Sequence, residues 1–195
     1  MRMASSVCQM TYDRAQLEAA FRAQRDLKFL FFWGHQPAKD GRITPSCFSQ
    51  WWPAPFTVDN VRYPTAEHWM MAEKARLFSD SASAARILAA ESPRSAKQLG
   101  RQVRGFDEAL WDREKWRIVS DGSRHKFKQN KLLGDFLLST GELILVEASP
   151  VDPVWGIGLS ADDDRARNPT LWRGENLLGF ALMVARDTLR AAGAA

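Results

Sequence analysis

The chain has 195 residues, is 45% hydrophobic and carries a formal charge of +4 at pH 7, which suits one domain with a full core and excludes disordered and collagen-like classes. No apolar run reaches the roughly 18 residues of a membrane span, and the opening MRMASSVCQM lacks the apolar centre of a signal peptide, so a cytoplasmic protein with no membrane partner is expected. The positive charge is compatible with a phosphorylated substrate or a nucleic acid but too modest to choose between them.

Residues 13–25 (DRAQLEAAFRAQR) put Leu17, Ala20 and Phe21 on one side and charge on the other, predicting a short amphipathic helix. It belongs to an N-terminal helical extension over 1–26, ahead of a main domain over 27–192. LKFLFFW (27–33) and FTVDNVRY (56–63) are aromatic or β-branched and bounded by Gly and Pro, so each predicts a strand. The long Pro-, Gly- and Trp-containing loop between them has a length usually tied to function or flexibility. Thr65 is the predicted N-cap of a helix through AEHWMMAEKARLF. Further helices are predicted over 82–92, from Pro93 through SAKQLGRQV, and over 107–122, where Gly122 interrupts or ends the run. HKFKQNKLLGDFLLSTG continues helically to Gly141, ELILVEA (142–148) reads as a strand, and NLLGFALMVARDTLRAA (176–192) reads as a final helix.

Within the helix after Thr65, Glu67 and Lys74 are seven residues apart and share a face with Met71 and Phe78, whereas Glu73 and Arg76 point the other way. Two charges in an apolar stripe suggest a site. An ion pair is the structural alternative, but about 10 Å of axial separation makes direct pairing awkward. The helix dipole is the other bland explanation for a first-turn Glu67. After the strand ELILVEA, the loop SPVDPVWGIGL holds Asp152 and Trp155 between prolines and glycines. It reads as a ligand loop or as a tight turn plugged by Trp155. Arg124, His125, Lys126 and Lys128 surround Phe127 before Gln129 and Asn130, giving a basic patch with amides or simply a solvated helix face. Eight tryptophans and eleven phenylalanines serve either the core or the stacking of a base. His68 and His125 lack a third ligand at metal spacing, so no metal is expected. Cys8 and Cys47 have no CxxC partner and read as ordinary thiols. GxSxG, HExxH, GxGxxG and Walker A motifs are missing, which removes serine hydrolases, zincins, dinucleotide-fingerprint and P-loop enzymes.

The blocks FSQWWPAPFTVDNVRYPTAEHWMMAEKARLF, HKFKQNKLLGDFLLSTG, LVEASPVDPVWGIGL and GENLLGFALMVARDTL resemble, in order and spacing, those of the NADAR (YbiA-like) family across roughly residues 28–192. The resemblance implies an α+β fold, a predominantly helical single domain with a small β-sheet. It also implies a hydrolase of N-glycosyl bonds that needs no cofactor. The YbiA-like branch hydrolyses the C1′–N bond of phosphoribosylamino-pyrimidine intermediates of riboflavin biosynthesis, releasing ribose 5-phosphate. Other NADAR proteins remove ADP-ribose from guanine bases, so an ADP-ribosylated nucleic acid is a second kind of partner. A non-catalytic module that binds NAD or ADP-ribose is a third reading. Glu67 and Lys74 match the family's helix motif, Asp152, Trp155, Gly156 and Gly158 its loop motif, and Asn176 and Gly179 the start of its last helix. Ile157 stands where some members have an acid, and Phe31, Phe32 and Trp33 replace a more polar strand, so a different base pocket is expected.

On this resemblance Glu67, Lys74 and Asp152 are the candidate catalytic residues. Glu67 stabilises an oxocarbenium-like transition state, and Lys74, its amine neutralised by desolvation, forms an imine at C1′ or else serves as a fixed cation. Asp152 orients ribose hydroxyls or Lys74. Phe31, Trp33 and Trp155 are candidates for stacking on the base. Lys126 and Asn130 are candidates for phosphate, and His68, Gly156, Gly158 and Asn176 for lining the substrate site.

Overall fold

The computed structural model describes residues 12–193; Cys8 and the first part of the expected extension lie outside the described residues. The first helix, α1 (Arg14–Arg22), starts at Asp13, whose carboxylate accepts from the Gln16 amide. Arg14 leaves the helix to donate to the Trp172 and Gly174 carbonyls at 2.9 and 3.3 Å. Strand β1 (Phe29–Phe32) follows, then a 3-10 turn at Pro45–Phe48.

FTVDNVRY, read above as one strand, is instead a hairpin of β2 (Phe56–Val58) and β3 (Val61–Tyr63). Asp59 and Asn60 both adopt left-handed backbone, with φ of 48° and 62°. Two consecutive residues of that kind make the tight reversal that two-residue hairpins use, and Asp and Asn tolerate it best after glycine.

Helix α2 (Ala66–Leu77) is capped by Thr65, whose hydroxyl accepts from the His68 amide. Helices α3 (Ser81–Leu88) and α4 (Pro93–Gly100) are capped by Asp80 and Ser92 in the same way. Helix α5 (Glu108–Gln129) has 22 residues and runs straight through Gly122, which therefore does not end it. A Cβ at 122 would come within 2.4 Å of the Trp69 indole, so the glycine is there to let α2 approach α5. The Trp69 Nε1–H seals that contact by donating to the Ile118 carbonyl at 2.8 Å. The helical run does break at Asn130, where α6 (Lys131–Ser139) begins.

Strand β4 (Ile144–Glu147) pairs in parallel with β1, from Phe29 opposite Ile144 to Phe32 opposite Glu147. The final helix α7 (Leu177–Gly193) packs across β4 and α5. Leu145 and Val146 are fully buried, and each contributes about 1.5–3 kcal/mol by leaving water. The described fold is thus mixed α+β and predominantly helical, with its small β content divided into two separate two-stranded pairs. Among the described residues no helix is long and apolar enough to cross a membrane.

This arrangement brings the start of α2 and the end of β4 to one place. The first turn of α2 carries Glu67, and β4 ends on Glu147 before entering the loop that contains Asp152. The strap 173–178 holds that loop through bonds from the Glu175, Asn176 and Leu178 amides to the Pro153, Gly156 and Trp155 carbonyls, at 3.0, 3.0 and 3.1 Å.

Candidate active site

Glu67 is 2% exposed, and its Oε1 has no hydrogen-bond partner among the described residues. Its backbone amide is spent on the Gln50 carbonyl at 3.0 Å. Burial pushes its carboxyl up to about 7, against smaller opposing pulls from Lys97, the Trp51 indole and Arg101, and with a further upward push from Asp152. A helix N-terminus stabilises a carboxylate by about 0.3–1 kcal/mol at the surface, so desolvation outweighs it here. The dipole explanation for Glu67 therefore fails.

Glu147 is the residue that the sequence reading passed over. Its Oε2 is sealed from solvent and unpartnered among the described residues. Burial first, then the charge of Asp152, raises it to about 8, with Glu67 pushing the same way and Lys97 against it. Gln50, whose carbonyl fixes Glu67, buries both side-chain polar atoms without a partner among the described residues. Unmade hydrogen bonds cost about 1–3 kcal/mol apiece, so three such side chains converging on one region mark a place built for something other than stability. A Glu in the apolar strand ILVE was the one available signal. Lys97 and Gln50 gave none, because their partners lie far away along the chain.

A cleft of about 330 Å³ opens beside these groups, lined by Lys97, Phe106, Trp111, Asp152, Val154 and Trp155 among others. Asp152 directs Oδ1 at the Val154 and Trp155 amides at 3.0 and 2.9 Å, so it shapes its own loop as well as charging the cleft. Lys74 reaches the same aromatic wall: its Nζ lies 4.2 Å from the Phe106 ring centre and 5.5 Å from that of Trp111. Burial lowers its pKa, while the two rings favour the ammonium by about 0.5–2 kcal/mol. The expected awkward pairing is borne out in geometry, since Lys74 faces rings and the cation acting on Glu67 is Lys97.

Other expected site residues are placed differently. Phe31 and Trp33 line a separate depression of about 370 Å³ with Ala148, Ser160 and Asp162, apart from Trp155. His68 is buried, with Nδ1 at 2.8 Å from the Thr65 hydroxyl and Nε2 at 3.0 Å from the Ala90 carbonyl. Because a carbonyl only accepts, Nε2 carries the proton, and the ring ties α2 to the end of α3 rather than to the cleft. Asn176, at φ 55°, spends its amide on β4: Oδ1 accepts from the Glu147 amide and Nδ2 donates to the Leu145 carbonyl, both at 3.0 Å. Gly156 is required because a Cβ there would meet the Glu147 carbonyl at 2.7 Å, and Gly158 packs against Arg173 at φ 67°. Backbone packing, not close approach of a ligand, accounts for both.

Lys126 and Asn130 are corrected outright as phosphate candidates. Lys126 is fully buried, and its Nζ donates to the Cys47 and Ser49 carbonyls at 2.7 and 2.8 Å. Asn130 donates Nδ2 to the Pro55 and Lys126 carbonyls at 3.1 and 2.8 Å at the α5–α6 junction. Lys126 thus anchors the loop that carries Gln50 and Trp51. Lys126→Met is expected to lower stability by about 2–4 kcal/mol, the cost of two orphaned buried carbonyls, seen as a fall in melting temperature. A raised KM with an unchanged melting temperature would return Lys126 to the substrate. No cluster of metal-ligating side chains is present among the described residues.

Comparison with known proteins agrees with this architecture. An N-glycosidase of Acanthamoeba polyphaga mimivirus is 41% identical over 165 residues, covering 82% of this chain and 95% of the relative. N-glycosidase YbiA of Escherichia coli is 31% identical over 144 residues, covering 74% of this chain and 79% of that protein. The solution structure of the E. coli protein YbiA superposes with a TM-score of 0.69 at 24% identity, over 100% of this chain and 96% of that one, which establishes the shared fold. Residues 31–190 match the NADAR domain, and the chain belongs to that family.

Proposed function

We propose that this chain, an N-glycosidase like its named relatives, hydrolyses the C1′–N bond of phosphoribosylamino-pyrimidine intermediates of riboflavin biosynthesis and releases ribose 5-phosphate. The observation that carries this reading is the buried Glu67 carboxylate, its Oε1 without a partner among the described residues, grouped with Glu147, Asp152 and Lys97 beside an aromatic cleft. Loss of the base leaves positive charge on the sugar ring, and an anion in a water-poor setting stabilises that charge far better than one in bulk water. Glu67 supplies the anion. Lys74, at the cleft's aromatic wall with its pKa lowered by burial, supplies the amine that attacks C1′ and holds the opened sugar as an imine. Trp155 offers the face for the base and Asp152 a carboxylate for ribose hydroxyls.

A second reading, removal of ADP-ribose from guanine, is favoured by the separate depression at Phe31 and Trp33, where Arg167 lies 5.6 Å from the Phe31 ring centre. An aromatic surface with a guanidinium beside it suits the remote nucleoside diphosphate of a longer substrate. A module that only holds ADP-ribose gains nothing from burying unpaired carboxyls, whose unmade bonds cost about 1–3 kcal/mol each.

Chromatography of released base, from phosphoribosylamino-pyrimidine and from ADP-ribosylated guanosine with Glu67→Ala as the blank, tests all three. Turnover of the pyrimidine alone is expected. Release from the guanosine adduct alone would move the chain to the ADP-ribose reading, and ligand binding with release from neither would leave a binding module.

A further inference from the structure

The reaction proposed above needs more than an anion, because a departing amide-like nitrogen is a poor leaving group until it is protonated. Glu67 cannot stabilise the sugar cation as an anion and protonate the base in the same step. The structure holds a second carboxyl, Glu147, beside the first. Glu147 ends β4, its amide held by Asn176 Oδ1 at 3.0 Å and its carbonyl by the Ile157 amide at 2.9 Å. Gly156 lets the Asp152 loop close to van der Waals contact on that carbonyl. The backbone is therefore rigid, while the side chain keeps a buried Oε2 with no partner among the described residues. A strand otherwise made of Ile, Leu and Val had no need of a carboxyl there, and structural ion pairing does not explain it, since Asp152 and Glu67 near it are of like sign and the cation is the shared Lys97.

Resting on the N-glycosidase reading, we propose that Glu147 is the general acid of this site and Glu67 its anionic partner. The C1′–N bond breaks with its electron pair going to the base nitrogen, which takes the Glu147 proton. The Lys74 amine forms the new bond to C1′ and passes one proton through water to Glu67. The C1′–O4′ bond then breaks with its electron pair going to O4′, which takes the second proton of the nitrogen and leaves the opened sugar as an imine. Water then hydrolyses the imine, and the proton on Glu67 returns to Glu147, so the cycle consumes one water. Two carboxyls in one low-dielectric region divide such work when the environment separates their proton affinities. Here the groups facing Glu147 are Asp152 from the loop, Glu67 from α2 and Lys97 from α4, and they leave Glu147, at about 8, holding its proton to higher pH than Glu67, at about 7. The two titrate as a unit. The activity profile of the wild type is accordingly bell-shaped, with an optimum between pH about 7 and about 8.

The test compares wild type, Glu147→Gln, Glu147→Asp and Glu147→Ala on whichever substrate the wild type turns over, with thermal unfolding of each. Glu147→Gln is expected to fold and to lose at least about 100-fold in kcat, together with the basic limb of the profile. Glu147→Asp is expected to keep the limb at reduced rate, and Glu147→Ala to lose both rate and limb. Activity of a folded Glu147→Gln within about fivefold of wild type with the basic limb intact, or a folded Glu147→Asp as inactive as Glu147→Ala, overturns the assignment. No base release by wild type from either substrate refutes the N-glycosidase reading itself, independently of any Glu147 variant.

Discussion

Glu67→Gln is expected to abolish turnover, by about 1,000-fold or more, and at the same time to make the protein more stable at pH 8. The two effects share one cause. On the reading proposed above, the charge of Glu67 serves a transition state; to the fold it is costly, because burial raises the carboxyl from 4.5 to about 7. The sign follows from proton binding. Between pH 4.5 and about 7 the folded chain keeps a proton that the unfolded chain has released, so stability falls as pH rises through that window, by about 3 kcal/mol in total. Above the window the full cost is present. An amide of the same shape carries no charge to desolvate, so the variant's stability curve is flatter and its melting temperature at pH 8 is higher by about 6–12 °C, at about 2–4 °C per kcal/mol for a chain of this size. The decline that persists up to about pH 8 belongs to Glu147, which is raised in the same direction. Melting curves of wild type and variant at pH 5 and pH 8 check the claim without any substrate. A wild type as stable at pH 8 as at pH 5, or a variant destabilised at pH 8, would show that the carboxylate is satisfied in the fold and has been misread.

The helix that carries this residue was legible in the sequence because its information is local. Thr65 caps it, the 3.6-residue period places Glu67 and Met71 inward, and Glu73 and Arg76 pair on the outer side, where Arg76 also reaches the Tyr63 hydroxyl at 2.7 Å. The Asp59–Asn60 reversal was not legible, since neither residue is the glycine that usually announces two left-handed positions in a row. Nor was the continuation of α5 through Gly122, because the reason for that glycine is an indole from α2. The site divides along the same line. Glu67 and Asp152 could be found from their own segments, whereas Glu147 and Lys97 acquire meaning only when β4 and α4 are brought against α2. Lys126 misled for a related reason: on paper it belongs to a basic run, but Arg124 and Lys128 face solvent while Lys126 turns inward to the carbonyls of a loop 77 residues and more away.

Lys74 is where the chemistry is most exposed to refutation. Replacing it with alanine is expected to cost at least about 100-fold in kcat, and borohydride added during turnover is expected to fix the sugar fragment on its Nζ as a secondary amine. The geometry makes both demands strict. The amine rests on Phe106 and Trp111, rings that favour its charged form by about 0.5–2 kcal/mol, while attack on C1′ requires the neutral form that burial promotes. Substrate entering the cleft shared by those rings must therefore displace the amine from the ring face, losing the cation–π contact and letting desolvation decide. Phe106→Leu is informative on this point: it keeps an apolar wall, removes one ring, and is expected to preserve or raise trapping. Peptide mapping of the reduced adduct discriminates between Lys74 and Lys97. An adduct on Lys74 that vanishes in Lys74→Arg supports the imine route. An adduct on Lys97, the cation that acts on both buried carboxyls, would transfer the nucleophile to α4 and leave Lys74 as a fixed charge over the aromatic wall. Absence of any adduct from an enzyme that is turning over would mean that water, not an amine, attacks C1′.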